Sequence, residues 1–273
     1  MKYLTSEEIH VVLLDILSEF DRICREHDLK YSLAYGTLLG AIRHKGFIPW
    51  DDDVDVVMPR PDYERFYELI RSGEAALSKH FVLSEDRGKK AVYPFLKLMD
   101  DRFSIKCSTH IEVPYLFIDI FPLDGMPDLP PEQLKKMHRK ELIYNGITSI
   151  CKWYIPNHWW GYLLYVVGFW FYLGVMCYGQ ARAINKLKKL LLKYPYEEHD
   201  KVDCRAWGMT VDTVPRAYFD SFEEVDFAGR KFFVISSWDE QLTVRYGDYM
   251  TPPPPNKRRS DHSFKIYRNK RPD

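Results

Sequence analysis

The chain has 273 residues, enough for one large domain or for a core that carries an added subdomain. Hydrophobic residues make up 46% and charged residues 29%, a balance that excludes a largely disordered or collagen-like chain. Basic and acidic residues number 39 each, so no cationic excess exists to neutralise duplex phosphates, and nucleic acid is not expected as a partner.

In chain order, Thr5 and Glu8 make a capping-box pair ahead of Ile9, Val12, Leu13, Ile16, Leu17, Phe20, Ile23 and Cys24. These recur at helical spacing and predict a scaffold helix with one apolar face. Tyr31 to Leu33 reads as a short strand, Gly36 and Thr37 as a turn, and Leu38 to His44 as a short helix ended by Gly46. Asp53 to Met58 alternates and reads as a strand. Pro61 suits the first turn of a helix with Tyr63, Phe66, Tyr67 and Ile70 on its apolar side. Strands follow near Val92 to Met99 and Tyr115 to Phe121, the second closed by Pro122 and Gly125. This order predicts an α/β fold, a mixed (α+β) sheet with flanking helices.

The middle of the chain changes character. Residues Trp153 to Ala181 contain no Lys, Arg, Asp or Glu, and four of the seven tryptophans, Trp153, Trp159, Trp160 and Trp170, lie there. Basic residues flank the run, from Lys135 to Lys152 before it and from Arg182 to Lys193 after it. The run exceeds the roughly 20 residues that span a bilayer. A single crossing would separate the acids near residue 53 from the C-terminal region, and basic flanks on both ends belong on one side. A surface-lying or re-entrant hairpin with peripheral membrane contact is therefore expected, with a packed helical subdomain as the alternative. A helix from Ser237 to Tyr246 follows, then Tyr246 to Met250, the prolines Pro252 to Pro255, and the basic run Lys257, Arg258 and Arg259. The prolines favour an extended segment.

The stretch Asp51-Asp52-Asp53-Val54-Asp55 carries the chemistry. In a strand, Asp53 and Asp55 share a face while Val54 and Val56 point into the core, and Asp51 joins that face if the strand begins early. Carboxylates placed together repel unless a cation lies between them, and oxygen ligands select Mg²⁺ or Mn²⁺. A third acid, Asp119, stands alone in the apolar run Phe117 to Phe121, where an unpaired carboxylate is costly. Asp53, Asp55 and Asp119 are thus the expected metal ligands and catalytic acids. An EF-hand loop is excluded, because its glycine and terminal glutamate positions hold Val56 and Asp62. A Walker loop is excluded because Gly36 and Gly40 lack the Gly-Lys-Ser/Thr ending. Gly36 lets the backbone turn, and Thr37 is expected to cap the next helix so that its free N–H groups face a phosphate. Arg43 and Lys97 are expected to meet phosphate oxygens, with Asp51 and His262 also in the substrate site. Arg43 could instead pair with an aspartate, and Lys97 could snorkel at a sheet edge.

Gly36-Thr37, then Asp53-Val54-Asp55 and a later Asp119, resembles the nucleotidyltransferase-fold pattern. The longer run from Gly36 to Met58 resembles the LicD family, which is related to the fukutin-type transferases. Phe117 to Gly125, Val214 to Phe219, and Tyr246 to Met250 with prolines and His262 add to the likeness. The resemblance implies a nucleotidyltransferase-like sheet with a hydrophobic helical insertion. It implies a CDP-alcohol donor, often CDP-choline, a lipid-linked or envelope glycan acceptor, and Mg²⁺ (or Mn²⁺) on the donor diphosphate. An acceptor hydroxyl would attack the phosphorus that carries the alcohol and release CMP, with Asp119 or Asp51 taking its proton. The expected organisation is a catalytic core over 1–128, an aromatic-rich helical insertion over 129–205, and a C-terminal segment over 206–273 that completes the catalytic domain. The five cysteines are scattered without a CxxC pair, and the first residues are polar and acidic, so the catalytic part is read as cytoplasmic, at the inner face of the membrane. The alternatives are a nucleotidyltransferase that releases pyrophosphate, a sugar transferase with a D-x-D metal site, and a metal-binding membrane scaffold without catalysis.

Overall fold

The first helix, α1 (Ser6–Glu26), begins where its capping box puts it. The Thr5 hydroxyl accepts from the Glu8 N–H at 3.2 Å, and the Glu8 carboxylate accepts from the Thr5 N–H at 2.8 Å. All eight periodic apolar residues of the helix are buried. The computed structural model describes residues 2–88, 91, 93–106, 114–149, 170, 173–175, 177–207, 213–259 and 265–269. The rest of the uncharged run, with the hairpin expected there, and His262 lie outside the described residues.

The elements that follow are β1 (Ser32–Leu33), α2 (Tyr35–His44), β2 (Asp55–Pro59), α3 (Arg60–Ser72), β3 (Phe81–Leu83), β4 (Leu96–Lys106) and β5 (Tyr115–Met126). Next come α4 (Pro131–Ser149), α5 (Gln180–Leu191), β6 (Lys201–Asp203), β7 (Val214–Pro215), β8 (Phe222–Phe227), β9 (Arg230–Ile235), α6 (Trp238–Tyr246) and β10 (Lys265–Arg268). The main sheet runs β1-β2-β5-β4-β10, with β3 on β4 and with β6 and β7 continuing from β5. Among the described residues only β2 and β5 pair in parallel, so the sheet is mixed, as the order of elements predicts.

Alternation divides the sheet. Val56, Met58, Ile118 and Ile120 face one core, formed with α1 and α3. Val57, Phe121 and Leu123 face a second, formed with Leu187 and Leu191 of α5. Helix α5 is anchored by ions as well. Its Lys188 ammonium lies 3.0 Å from Asp86 and 3.2 Å from Glu64, and Arg87 reaches the same two acids at 2.6 and 2.7 Å. Arg205 is completely buried, pairs with Glu141 of α4, and donates to the carbonyls of Gly125 and Leu191.

Several boundaries differ from expectation. Strand β2 begins at Asp55, so Asp51 to Asp53 lie in the connection before it. Strand β5 does not close at Pro122 but continues to Met126. Proline is tolerated because the ladder to β4 has ended at the pair Leu96 and Ile120, leaving no partner there for the missing N–H. Gly125 serves a close approach, since a Cβ there would lie 2.4 Å from the Pro195 carbonyl oxygen. Strand β4 starts at Leu96 and runs on to Lys106, with a bulge between Asp100 and Ser104.

Candidate active site

Three neighbouring strands each place one charged residue in a single row. Asp55 of β2 is in register with Asp119 of β5, and Asp119 is in register with Lys97 of β4. Adjacent strands are about 4.8 Å apart, so the three side chains leave the same face close together. The Asp119 N–H donates to the Val54 carbonyl at 2.9 Å, and the Ala34 N–H donates to the Asp55 carbonyl at 3.0 Å. The first bond ties β5 to the start of β2, and the second ties Asp55 to the N-cap of α2.

Lys97 is only 3% exposed, so it is no edge residue that reaches for water. Its ammonium pairs with the Asp119 carboxylate. It also lies 3.7 Å from the centroid of the Phe117 ring and 4.4 Å from that of Tyr93. An ion pair and aromatic faces together offset the desolvation of a buried cation. Burial lowers the ammonium's pKa, while Asp119 and Asp55 pull it back up.

Gly36 and Thr37 do not form a turn ahead of the helix, and Thr37 does not cap it. Both lie inside the first turn of α2, whose N-cap is Ala34 with no side-chain cap bond. The Thr37 hydroxyl instead accepts from the backbone N–H of Asp55 at 2.9 Å. That N–H opens β2 and needs a partner, and Thr37, buried beside it, supplies one. Gly36 makes room for Asp51: a Cβ at Gly36 would lie 2.6 Å from the Asp51 carboxylate oxygen. The acidic run therefore folds back over the start of α2, which brings Asp51 and Asp53 to Asp55 without a shared strand.

The electrostatics record the crowding. Burial, reinforced by Asp53, pushes the Asp51 carboxyl up to about 8. Burial and the charges of Asp53, Asp119 and Asp51 push Asp55 well up too, against the pull of Lys97. Acids so crowded favour a bound cation. As the side chains stand, no group of three His, Cys, Asp or Glu among the described residues converges on one point. The donors suit a hard divalent ion nonetheless, because Asp53, Asp55 and Asp119 offer only carboxylate oxygens.

Arg43 does not pair with an aspartate among the described residues. It donates from Nη1 to the Tyr249 carbonyl at 2.7 Å, and its Nε faces the His44 ring nitrogen at 3.0 Å. Its neighbour in space is Arg258, whose guanidinium lies 5.4 Å from the Trp50 ring centroid. The sequence reading passed over Trp50 and the Tyr249 carbonyl. A tryptophan beside an acidic run carries no special signal, and a backbone acceptor carries none at all.

Residues 28–144 match the family model described as "LicD/FKTN/FKRP, nucleotidyltransferase domain". The chain is 33% identical over 286 residues to the lipopolysaccharide cholinephosphotransferase LicD of Haemophilus influenzae, covering 98% of this chain and 99% of that one. Uncharacterised proteins of Rickettsia typhi and Rickettsia prowazekii are 33% and 36% identical over 69 residues, a quarter of this chain.

Proposed function

The chain belongs to the LicD family, and from that premise we propose that it transfers a substituted phosphate, phosphocholine in the first instance, from a CDP-alcohol to a hydroxyl of a cell-envelope glycan and releases CMP. The observation that carries this reading is the row formed by Asp55, Asp119 and Lys97, with Asp51 and Asp53 folded over it. Likeness to a lipopolysaccharide cholinephosphotransferase along the whole chain supports choline phosphate as the group and a glycan as acceptor.

In this reading Asp53, Asp55 and Asp119 hold Mg²⁺ (or Mn²⁺), which when bound neutralises the donor diphosphate and steadies the leaving CMP. Lys97 keeps Asp119 in place from the buried side. Thr37 holds the backbone of Asp55 and so fixes where its carboxylate points. Asp119 or Asp51 takes the proton of the acceptor hydroxyl as the new bond forms.

The test offers purified protein CDP-choline, CDP-ribitol, CDP-glycerol, nucleotide sugars and nucleoside triphosphates, with envelope glycan as acceptor. CMP release from a CDP-alcohol, absent in Asp55→Asn, is expected. Pyrophosphate release from a triphosphate would overturn the donor assignment, and a nucleoside diphosphate product would indicate a sugar donor.

We further place the protein at the inner face of the membrane. The contact we propose is peripheral; among the described residues no helix is long and apolar enough to cross a bilayer. Helices α4 and α5 support it. Ile143, 53% exposed, lines one groove between the two helices with the exposed Lys140, Lys186 and Lys189, and its chain neighbour Leu142 is 51% exposed. Apolar residues among lysines suit an anionic lipid surface.

A further inference from the structure

The buried arginines Arg60 and Arg205 have carboxylate partners. Arg60 forks onto Asp124 at 2.6 and 2.7 Å, and Arg205 meets Glu141. Arg43 and Arg258 are different. They lie close enough for the charge of Arg258, after burial, to depress the pKa of the Arg43 guanidinium. Yet among the described residues neither makes an ion pair. Arg43 is held by the Tyr249 carbonyl and the His44 ring, and Arg258 donates from Nε to the Pro253 carbonyl at 2.7 Å. A guanidinium has five N–H donors, so among the described residues most of each fork has no protein acceptor. Arg43 is half-buried and Arg258 exposed, so water screens part of their repulsion, and a bound anion relieves the rest.

Their setting keeps them in position. Arg258 lies over Trp50, and the His44 ring meets the Trp50 ring edge-on at 6.3 Å. The segment that brings Arg258 back is stiff: Pro254 is extended, and a single turn, Pro255–Lys257, closes with the Arg258 N–H on the Pro255 carbonyl at 3.2 Å. Proline fixes such a segment before any ligand arrives, which lowers the entropy lost on binding. The acids are near. Trp50 directly precedes Asp51, their Cα atoms about 3.8 Å apart. Arg43 lies six residues along α2 from Thr37, a rise of about 9 Å. One donor molecule can touch both places.

We propose that Arg43 and Arg258, with Trp50 as the floor between them, form a two-jawed clamp for the diphosphate of the nucleotide donor. The proposal rests on the donor reading above for the identity of the nucleotide, not for the clamp. The acid row handles one side of the diphosphate through a cation, and the clamp takes oxygens on the other. Because Arg258 comes from the C-terminal segment, the donor site is complete only when that segment is folded onto α2. The basic run near the C-terminus thus has a defined task, carried by Arg258.

Titration calorimetry in Mg²⁺ at low salt tests this with CDP, inorganic pyrophosphate and cytidine as probes and UDP as the comparison for the base. Wild-type protein is expected to bind CDP and pyrophosphate. Arg43→Gln and Arg258→Gln are each expected to weaken both by about tenfold or more, the worth of one charge-assisted contact, and to leave cytidine unchanged. Arg258→Lys should restore part of the loss. Unchanged affinity for both diphosphate probes in both variants would overturn the clamp, as would failure of the wild type to bind either. Pyrophosphate binding that requires Arg258, with CDP no better than UDP, would uphold the clamp and sink the cytidine donor. Ligand-free melting separates a structural role. Removing Arg258 relieves repulsion, so the melting temperature should hold or rise. A fall that accompanies lost binding would overturn the proposal.

Discussion

Gly36 and Gly40 stand one turn apart in α2 and are glycine for different reasons. At Gly36 a methyl group would meet the end of the Asp51 side chain, which can rotate away. Gly36→Ala is therefore expected to leave stability within about 1 kcal/mol while turnover falls, because Asp51 is moved off the acid row. At Gly40 the methyl would lie 2.5 Å from the Gly46 carbonyl oxygen, which is backbone. Gly40→Ala should cost about 1–3 kcal/mol, read as a lower denaturation midpoint. Lys97 makes a sharper test of the metal site. Lys97→Met removes the buried cation paired with Asp119 and should destabilise metal-free protein by about 3–5 kcal/mol. Mg²⁺ should recover part of that in thermal melts, since a cation can replace the lost charge. If Mg²⁺ recovers none, the row does not hold a cation. The glycines, Thr37 and the lone Asp119 were all legible as unusual residues. What Gly36 and Thr37 do was not, because spacing along a chain does not say which neighbour a hydroxyl or a missing Cβ will face.

Helices α4 and α5 are tied to the sheet by buried ions rather than by apolar contact alone. Arg205 binds Glu141 and two backbone carbonyls without exposure to water. Arg205→Ala leaves Glu141 buried and unpaired, and a loss of about 3–5 kcal/mol is expected in chemical denaturation. The cluster around Lys188 adds a pH dependence. Burial pushes the Asp86 carboxyl up, but Lys188 and Arg87 more than offset this and hold it below its ordinary value of 3.8. Glu64 is likewise held below 4.5 against burial, chiefly by Lys188. Groups lowered in this way stabilise the fold above their unfolded values, and that stability is lost as pH falls through the folded ones. Melting temperature should therefore drop below about pH 4, and Lys188→Met should move the drop to higher pH. An unchanged acid profile in that variant would show that Lys188 does not set it. None of these partners was legible in sequence, where Lys188 read as one more lysine of a basic helix. The hairpin β8–β9 was legible and passed over. Its strands are joined by Ala228 and Gly229 with φ of 51° and 79°, the left-handed pair that a two-residue hairpin turn requires.

At the scale of the whole molecule, net charge is zero, yet its distribution is not even. The exposed lysines of α4 and α5 share one groove with Ile143, Tyr144 and Leu190. Flotation with vesicles is expected to show binding that needs anionic lipid and weakens with salt. Reversing Lys186 and Lys189 to Glu should weaken it by about 1 kcal/mol or more per site. Equal binding to neutral vesicles, or none to either, would remove these helices from the membrane reading.

What the sequence determined by itself was local or covalent in origin. Helix α1 and its cap follow from side chains within one turn of each other, and burial of Val54 and Val56 follows from alternation. The proximity of Asp51, Asp53 and Asp55 follows from chain connectivity. Tertiary structure alone decided which distant residues meet them. The register of β5 against β2 and β4 put Asp119 between Asp55 and Lys97. The return of the C-terminal segment put Arg258 beside Arg43, 215 positions away along the chain. Such pairings are set by strand register and by packing of the two cores, which sum many weak contacts over the whole chain. No short window of sequence contains them.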